Sequence, residues 1–156
     1  MSDFYARICL NGHVLITHQP MSSDEYCEIC GAKMISKCSK CLNPIREWHF
    51  NGMAVLGTPN YDRPMYCKSC GTPYPWTQAA LEATSLMIQE DEELSAIERE
   101  RLEDSLPDLI AETPKTQVAS IRVKKALLTA GTFTADALRQ FIIDFGCELA
   151  KKSLGL

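Results

Sequence analysis

The chain lacks the features that would place it in several large functional classes. No apolar run approaches eighteen residues, which argues against a membrane-spanning helix. The opening residues, MSDFYARICLNGH, show no charged start, long apolar stretch or small-residue cleavage site, so no secretory leader is expected and a cytoplasmic setting is. G-x-S-x-G, P-loop, G-x-G-x-x-G and HExxH signatures are all missing. Positive charge is not in excess: 16 Lys and Arg face 20 Asp and Glu, a formal net of −4. No low-complexity segment is apparent, and no internal repeat beyond one short motif.

That motif is CxxC, and cysteine is what the chain does have. Eight cysteines are poor disulfide material in a reducing compartment, where clustered cysteines are more often metal ligands or catalytic thiols. Seven of them lie in residues 1–76, with all three histidines and five of the eight glycines, whereas residues 77–156 are rich in Ala, Leu and Glu. Two units are expected: a metal-binding domain over 1–76 and a helical domain over 77–156. The first carries a formal charge of +1 and the second −5.

Three pairs occur, Cys27/Cys30, Cys38/Cys41 and Cys67/Cys70, and two of them read YCxxCG. In a zinc knuckle the residue after the second cysteine often needs positive φ, which Gly31 and Gly71 supply without strain. Six sulfurs do not fill two closed tetrahedral sites, which need eight donors. Cys9 and His13 in ICLNGHV supply the missing two if a turn at Asn11-Gly12 brings them together. His18 and His49 are isolated and read as ordinary surface or satisfied histidines. The expected cofactor is therefore Zn²⁺, two per chain, on Cys9, His13, Cys27, Cys30, Cys38, Cys41, Cys67 and Cys70. A thioredoxin-like redox couple fits less well, because the pairs are embedded in short strands and turns and not at a strand-to-helix junction.

Which pairs share a metal depends on GAKMISK, between Cys30 and Cys38. After Gly31 it has no turn residue and reads as a strand that would carry the second pair away from the first. That favours an interleaved arrangement, Cys27, Cys30, Cys67 and Cys70 on one zinc and Cys9, His13, Cys38 and Cys41 on the other. A tight hairpin uniting Cys27/Cys30 with Cys38/Cys41 is the competitor. Val14, Leu15, Ile16 and Thr17 alternate as a short strand would, and REWHFNGMAVLG reads as a hairpin about Asn51-Gly52.

In the second half, Thr77 is a plausible cap for QAALEATSLMIQE, with Leu81, Ser85 and Ile88 near one stripe. Ser95 and Glu98 form a capping box for a second helix that breaks near Pro107. Thr113-Pro114 opens a third, stopped by Gly131, whose Arg122, Lys124 and Lys125 read more as a solvated face than as a ligand patch. A fourth, from about Ala135 to Leu154, carries two apolar stripes. One is Leu138, Phe141, Ile142, Phe145 and Leu149; the other is Ile143, Gly146, Cys147, Ala150 and Leu154. The plain reading is a central helix, with Cys147 a small core residue; the sharper one is a homodimer through the second stripe. The fold class is α+β, a small zinc-ribbon-like β unit with two zinc sites followed by a four-helix region.

Together CLNGH, YCEICGAKMISKCSKC, YCKSCGTPYPW and ETPKT resemble a small bacterial family of unknown function with a zinc-ribbon N-terminus and a helical C-terminus. The resemblance runs over nearly the whole chain and implies zinc binding through these cysteines in a bacterial cytosol. It implies no activity. Seven thiolates and two Zn²⁺ would take the chain from −4 to −7, which disfavours nucleic acid as a partner despite Lys33, Lys37, Lys40, Arg46 and Lys68. Closed sites disfavour an enzyme. A non-catalytic module that engages a protein partner is the preferred expectation.

Overall fold

The computed structural model describes residues 5–17, 25–45 and 61–156. His18, Arg46, His49 and the hairpin expected at Asn51-Gly52 lie outside the described residues. The chain is α+β and divides into two compact units, Met1–Gln78 and Ala79–Leu156.

The first unit is built on a hairpin of β1 (Tyr5–Cys9) and β2 (Val14–Thr17), with Arg7 opposite Leu15 and Ile8 opposite Val14. A two-residue strand, β3 (Met34–Ile35), pairs antiparallel with the other side of β1, giving the order β2-β1-β3. The turn between β1 and β2 depends on Gly12 at φ +88°, whose N–H donates to the Cys9 carbonyl at 2.9 Å. A side chain there would be excluded twice: by the backbone, and by Arg63 and Trp76, which occupy the space of a Cβ. Arg63 Nη1 donates to the Gly12 carbonyl at 2.6 Å. Strands this short cannot enclose an apolar core alone. Ile8, Met34, Ile45, Tyr74 and Trp76 are buried, but so are Cys9, Cys27, Cys38 and Cys67.

The helix α1 (Pro75–Gln89) starts at proline, whose fixed φ and missing N–H suit a first helical position. Thr77, expected to cap it, lies inside it and donates its hydroxyl proton to the Met65 carbonyl at 2.8 Å. Trp76 Nε1 donates to the Pro64 carbonyl at 2.9 Å, and its ring stacks on Tyr74.

The second unit contains α2 (Ala96–Ile110), α3 (Thr116–Thr129), α4 (Thr132–Phe145) and α5 (Glu148–Leu154). The expected capping box opens α2: Glu98 N–H donates to Ser95 Oγ, and Ser95 N–H to Glu98 Oε2. The break expected near Pro107 does not occur, since burial of Leu109 and Ile110 holds a last turn beyond it. The third helix begins at Thr116, not directly after Thr113-Pro114. Thr113 Oγ1 instead accepts from Lys115 N–H and donates to Asp108, closing a turn ahead of the helix. Asp91, buried in the turn after α1, accepts at 2.9 Å from the N–H groups of Glu93, Leu94 and Gly131. It thereby pins the start of α4 to the end of α1.

The region has five helices where four were expected, because the long final helix is broken at Gly146-Cys147. Gly146 leaves helical geometry at ψ 144°, and a Cβ there would meet the Ile142 carbonyl oxygen. Cys147 N–H then donates to the Leu109 carbonyl at 2.8 Å. The first stripe survives in part, with Leu138, Phe141 and Ile142 buried, but the second is not one surface. Ile143 is exposed on α4, while Ala150 on α5 is 0% exposed. The second stripe is therefore divided between α4 and α5. Among the described residues no helix is long and apolar enough to cross a membrane.

Candidate metal centres

Each CxxC pair sits in the same backbone device. In the first, Cys27 N–H donates to the Ala32 carbonyl and Gly31 N–H to the Cys27 carbonyl, both at 2.8 Å, and Tyr26 pairs with Lys33. In the third, Cys67, Thr72 and Gly71 repeat these bonds and Tyr66 pairs with Pro73. The second has Leu42 in the glycine position: its N–H donates to the Cys38 carbonyl at 3.0 Å and Lys37 pairs with Pro44. All three turn residues have positive φ, +72° at Gly31 and Gly71 and +60° at Leu42. The glycine signal read from YCxxCG thus reflects a conformational requirement that the middle pair meets with a strained leucine.

The turns bring the eight predicted ligands into two groups of four. Cys9, His13, Cys27 and Cys30 form one, and Cys38, Cys41, Cys67 and Cys70 the other, with the ligand atoms of each group all within 4.8 Å of one another. In the first, Cys9 Sγ is 3.5 Å from His13 Nδ1 and 3.7 Å from Cys30 Sγ, and Cys27 Sγ is 3.7 Å from His13 Nδ1. In the second, Cys38 and Cys70 sulfurs are 3.8 Å apart and those of Cys41 and Cys67 3.6 Å. Both groups could hold a metal ion, and none of the cysteines is in a disulfide.

The pairing follows chain order and corrects the interleaved arrangement. GAKMISK does contain a strand, and it does carry Cys38 away from Cys30. What the sequence does not reveal is the partner of that strand. Cys9 lies opposite Met34, and Leu10 N–H donates to the Lys33 carbonyl at 3.1 Å. That register holds the end of β1 against the first CxxC turn, so Cys9 and His13 complete its site. The second pair is left to meet the third. The tight-hairpin alternative is also not what forms.

Polar neighbours lower the pKa of three of these sulfurs. Cys30 is lowered to about 6, chiefly by a backbone hydrogen bond from Ala32, then by Asn11 Nδ2 at 3.4 Å. Cys67 is lowered to about 6, first by the Ser69 backbone N–H. The Thr72 hydroxyl, 3.3 Å away, lowers Cys70. Cys9 is raised by burial, which outweighs the backbone N–H groups of His13 and Asn11. Tyr74 is raised by burial and then by the neighbouring Cys67. A cation placed within either group would find partly prepared anionic donors.

The chain matches, over residues 3–154, the family model described as an uncharacterized protein conserved in bacteria, DUF2321. The chain belongs to this family. No curated protein and no solved structure matches it. The family carries no assigned activity, so the chemistry rests on the two clusters.

Sequence reasoning missed the residues that support the sulfurs. Asn11, Asn43 and Thr72 each lie two positions after a cysteine, in CLN, CLN and CGT, and Asn43 Nδ2 donates to Cys41 Sγ at 3.3 Å. A side-chain donor recurring at that offset was the available signal. Leu42 was missed because its type gives no hint of positive φ.

Proposed function

We propose that this protein binds two zinc ions as structural elements and acts as a non-catalytic module that presents a surface to a protein partner. The observation that carries the zinc reading is the donor spacing. Two sulfurs about 2.3 Å from one tetrahedral zinc stand about 3.8 Å apart, and a sulfur and an imidazole nitrogen about 3.5 Å. Three sulfur pairs, Cys9 with Cys30, Cys38 with Cys70 and Cys41 with Cys67, stand 3.6 to 3.8 Å apart, His13 Nδ1 is 3.5 and 3.7 Å from the Cys9 and Cys27 sulfurs, and all donors of each group lie within 4.8 Å of one another. Four donors per site leave no coordination position for a substrate, which supports a structural role over a thiol or zinc enzyme. Clustered thiolates of this kind persist in a reducing cytoplasm, where we place the protein.

The adaptor reading draws on the turns themselves. Ile29, between Cys27 and Cys30, is 74% exposed and Leu42, next to Cys41, is 68% exposed. Apolar side chains fixed on metal-held turns are suited to seating in a partner's pocket. The net charge of −4 supports a protein partner over nucleic acid.

Elemental analysis of protein purified without added metal should return two zinc ions per chain and no visible absorbance. One zinc per chain, or iron with sulfide-derived colour, would sink the metal reading. The partner reading is tested separately: an Ile29→Asp, Leu42→Asp variant that keeps both zincs should lose proteins co-purified from the native host. Recovery of nucleic acid in place of protein would replace the adaptor reading.

A further inference from the structure

In the second unit, α2 and α3 line an open groove of about 430 Å³, within the ~300 to 1,000 Å³ range of small-molecule sites. Its floor is apolar, with Leu102 and Ala126 buried, and Val118 and Ile121 extend that lining to the surface. Around it stand Arg101 from α2 and Arg122 and Lys125 from α3. Three of the nine cations in an otherwise acidic half of the chain converge on one opening. Among the described residues, none of the three is in an ion pair. Glu98, the one acid in the lining, is engaged elsewhere: its carboxylate accepts the Ser95 N–H at 2.8 Å in the capping box.

The guanidinium of Arg122 is also oriented. Its Nη1 donates to Ser105 Oγ at 3.1 Å, and that buried hydroxyl gives its own proton to the Arg101 carbonyl at 2.7 Å. Holding Arg122 by one N–H leaves its other donors for an anion, in the fork geometry that matches a carboxylate or phosphate. We propose that this groove binds a small organic anion with an apolar body, the charge received by Arg101, Arg122 and Lys125 and the apolar part by Leu102, Val118, Ile121 and Ala126. An inorganic anion would leave the apolar half of the groove without a role. An extended nucleic acid would need basic residues beyond the groove. Every residue lining the groove belongs to the second unit.

The test is a titration of the full metal-loaded chain, labelled at Val and Ile methyl groups, with decanoate as the probe and decanol as its uncharged counterpart. Decanoate should give saturable shifts centred on Val118 and Ile121, and decanol should bind at least ~10-fold more weakly. An Arg122→Gln, Lys125→Gln variant should lose a similar factor, while Lys115→Gln, outside the groove, should change nothing. Equal binding of decanol, an undiminished double variant or shifts that fail to saturate would each overturn the proposal. The decanol comparison uses wild-type protein, so it decides the matter even if the double variant folds poorly.

Discussion

In the first unit the enclosed side chains include Cys9, Cys27, Cys38 and Cys67 beside a few apolar ones, whereas in the second they are Leu102, Leu106, Leu109, Leu138, Ile142 and their neighbours. The first has strands of five, four and two residues; the second has helices of up to fifteen. Short strands and turns place few apolar atoms together, so their order must come from elsewhere, and sulfur and imidazole donors gathered in fours offer it. Helices with an apolar stripe bury enough surface to hold one another. One chain thus carries two routes to a fixed structure, and they should fail under different treatments.

The largest effect is expected from metal removal. A structural zinc site contributes an apparent ~10 to 16 kcal/mol, so strong chelation should unfold residues 1 to about 78 and leave most helical circular dichroism in place. Helix loss in step with metal loss would mean that the two units are one cooperative structure.

A smaller effect should reach only the second unit. Asp91→Ala leaves the Glu93, Leu94 and Gly131 N–H groups without their acceptor and should cost about 1 to 3 kcal/mol, with metal content unchanged. Burial alone would raise the Asp91 carboxyl, but hydrogen bonds from Thr134 and these backbone groups outweigh it and the net shift is downward. A lowered carboxyl contributes stability that is complete above its ordinary value of 3.8 and is lost as pH falls through its lower folded value. Acid unfolding of the helices should flatten in Asp91→Ala over that window. A variant with the wild-type acid limb would show that Asp91 does not couple the turn to α4.

The smallest effect is a gain. Leu42→Gly removes a side chain from positive φ and should raise the stability of the metal-loaded first unit by up to about 1 kcal/mol, read as resistance to a competing chelator. A loss of metal affinity would show that the Leu42 side chain is itself needed.

Local signals proved legible and long-range choices did not. The capping box of Ser95 and Glu98 needs only residues three positions apart, and the glycine of YCxxCG acts within its own turn, so both could be read from the chain. Pro107 and Gly146 could not be ranked as breakers from their types alone. Proline is carried through because Leu109 and Ile110 are buried beyond it, and glycine ends its helix because Cys147 finds the Leu109 carbonyl. The eight donors were recognisable by counting to four, but their grouping turned on the register of β3 against β1, which two residues of strand do not announce.

The grouping by chain order has a consequence for how the protein is made. The four donors of the first centre are complete once residue 30 has been added, whereas the second waits for residue 70. At ~5 to 20 residues per second, forty residues take roughly 2 to 8 seconds to synthesise. During that interval the first group has all the donors it would need to hold a metal ion, with no later thiolate of the chain required to finish it. The interleaved grouping would have kept every donor set open until Cys41 had been made, with Cys27 and Cys30 waiting for Cys70. Contiguous donor sets let assembly follow the ribosome in two separate acts.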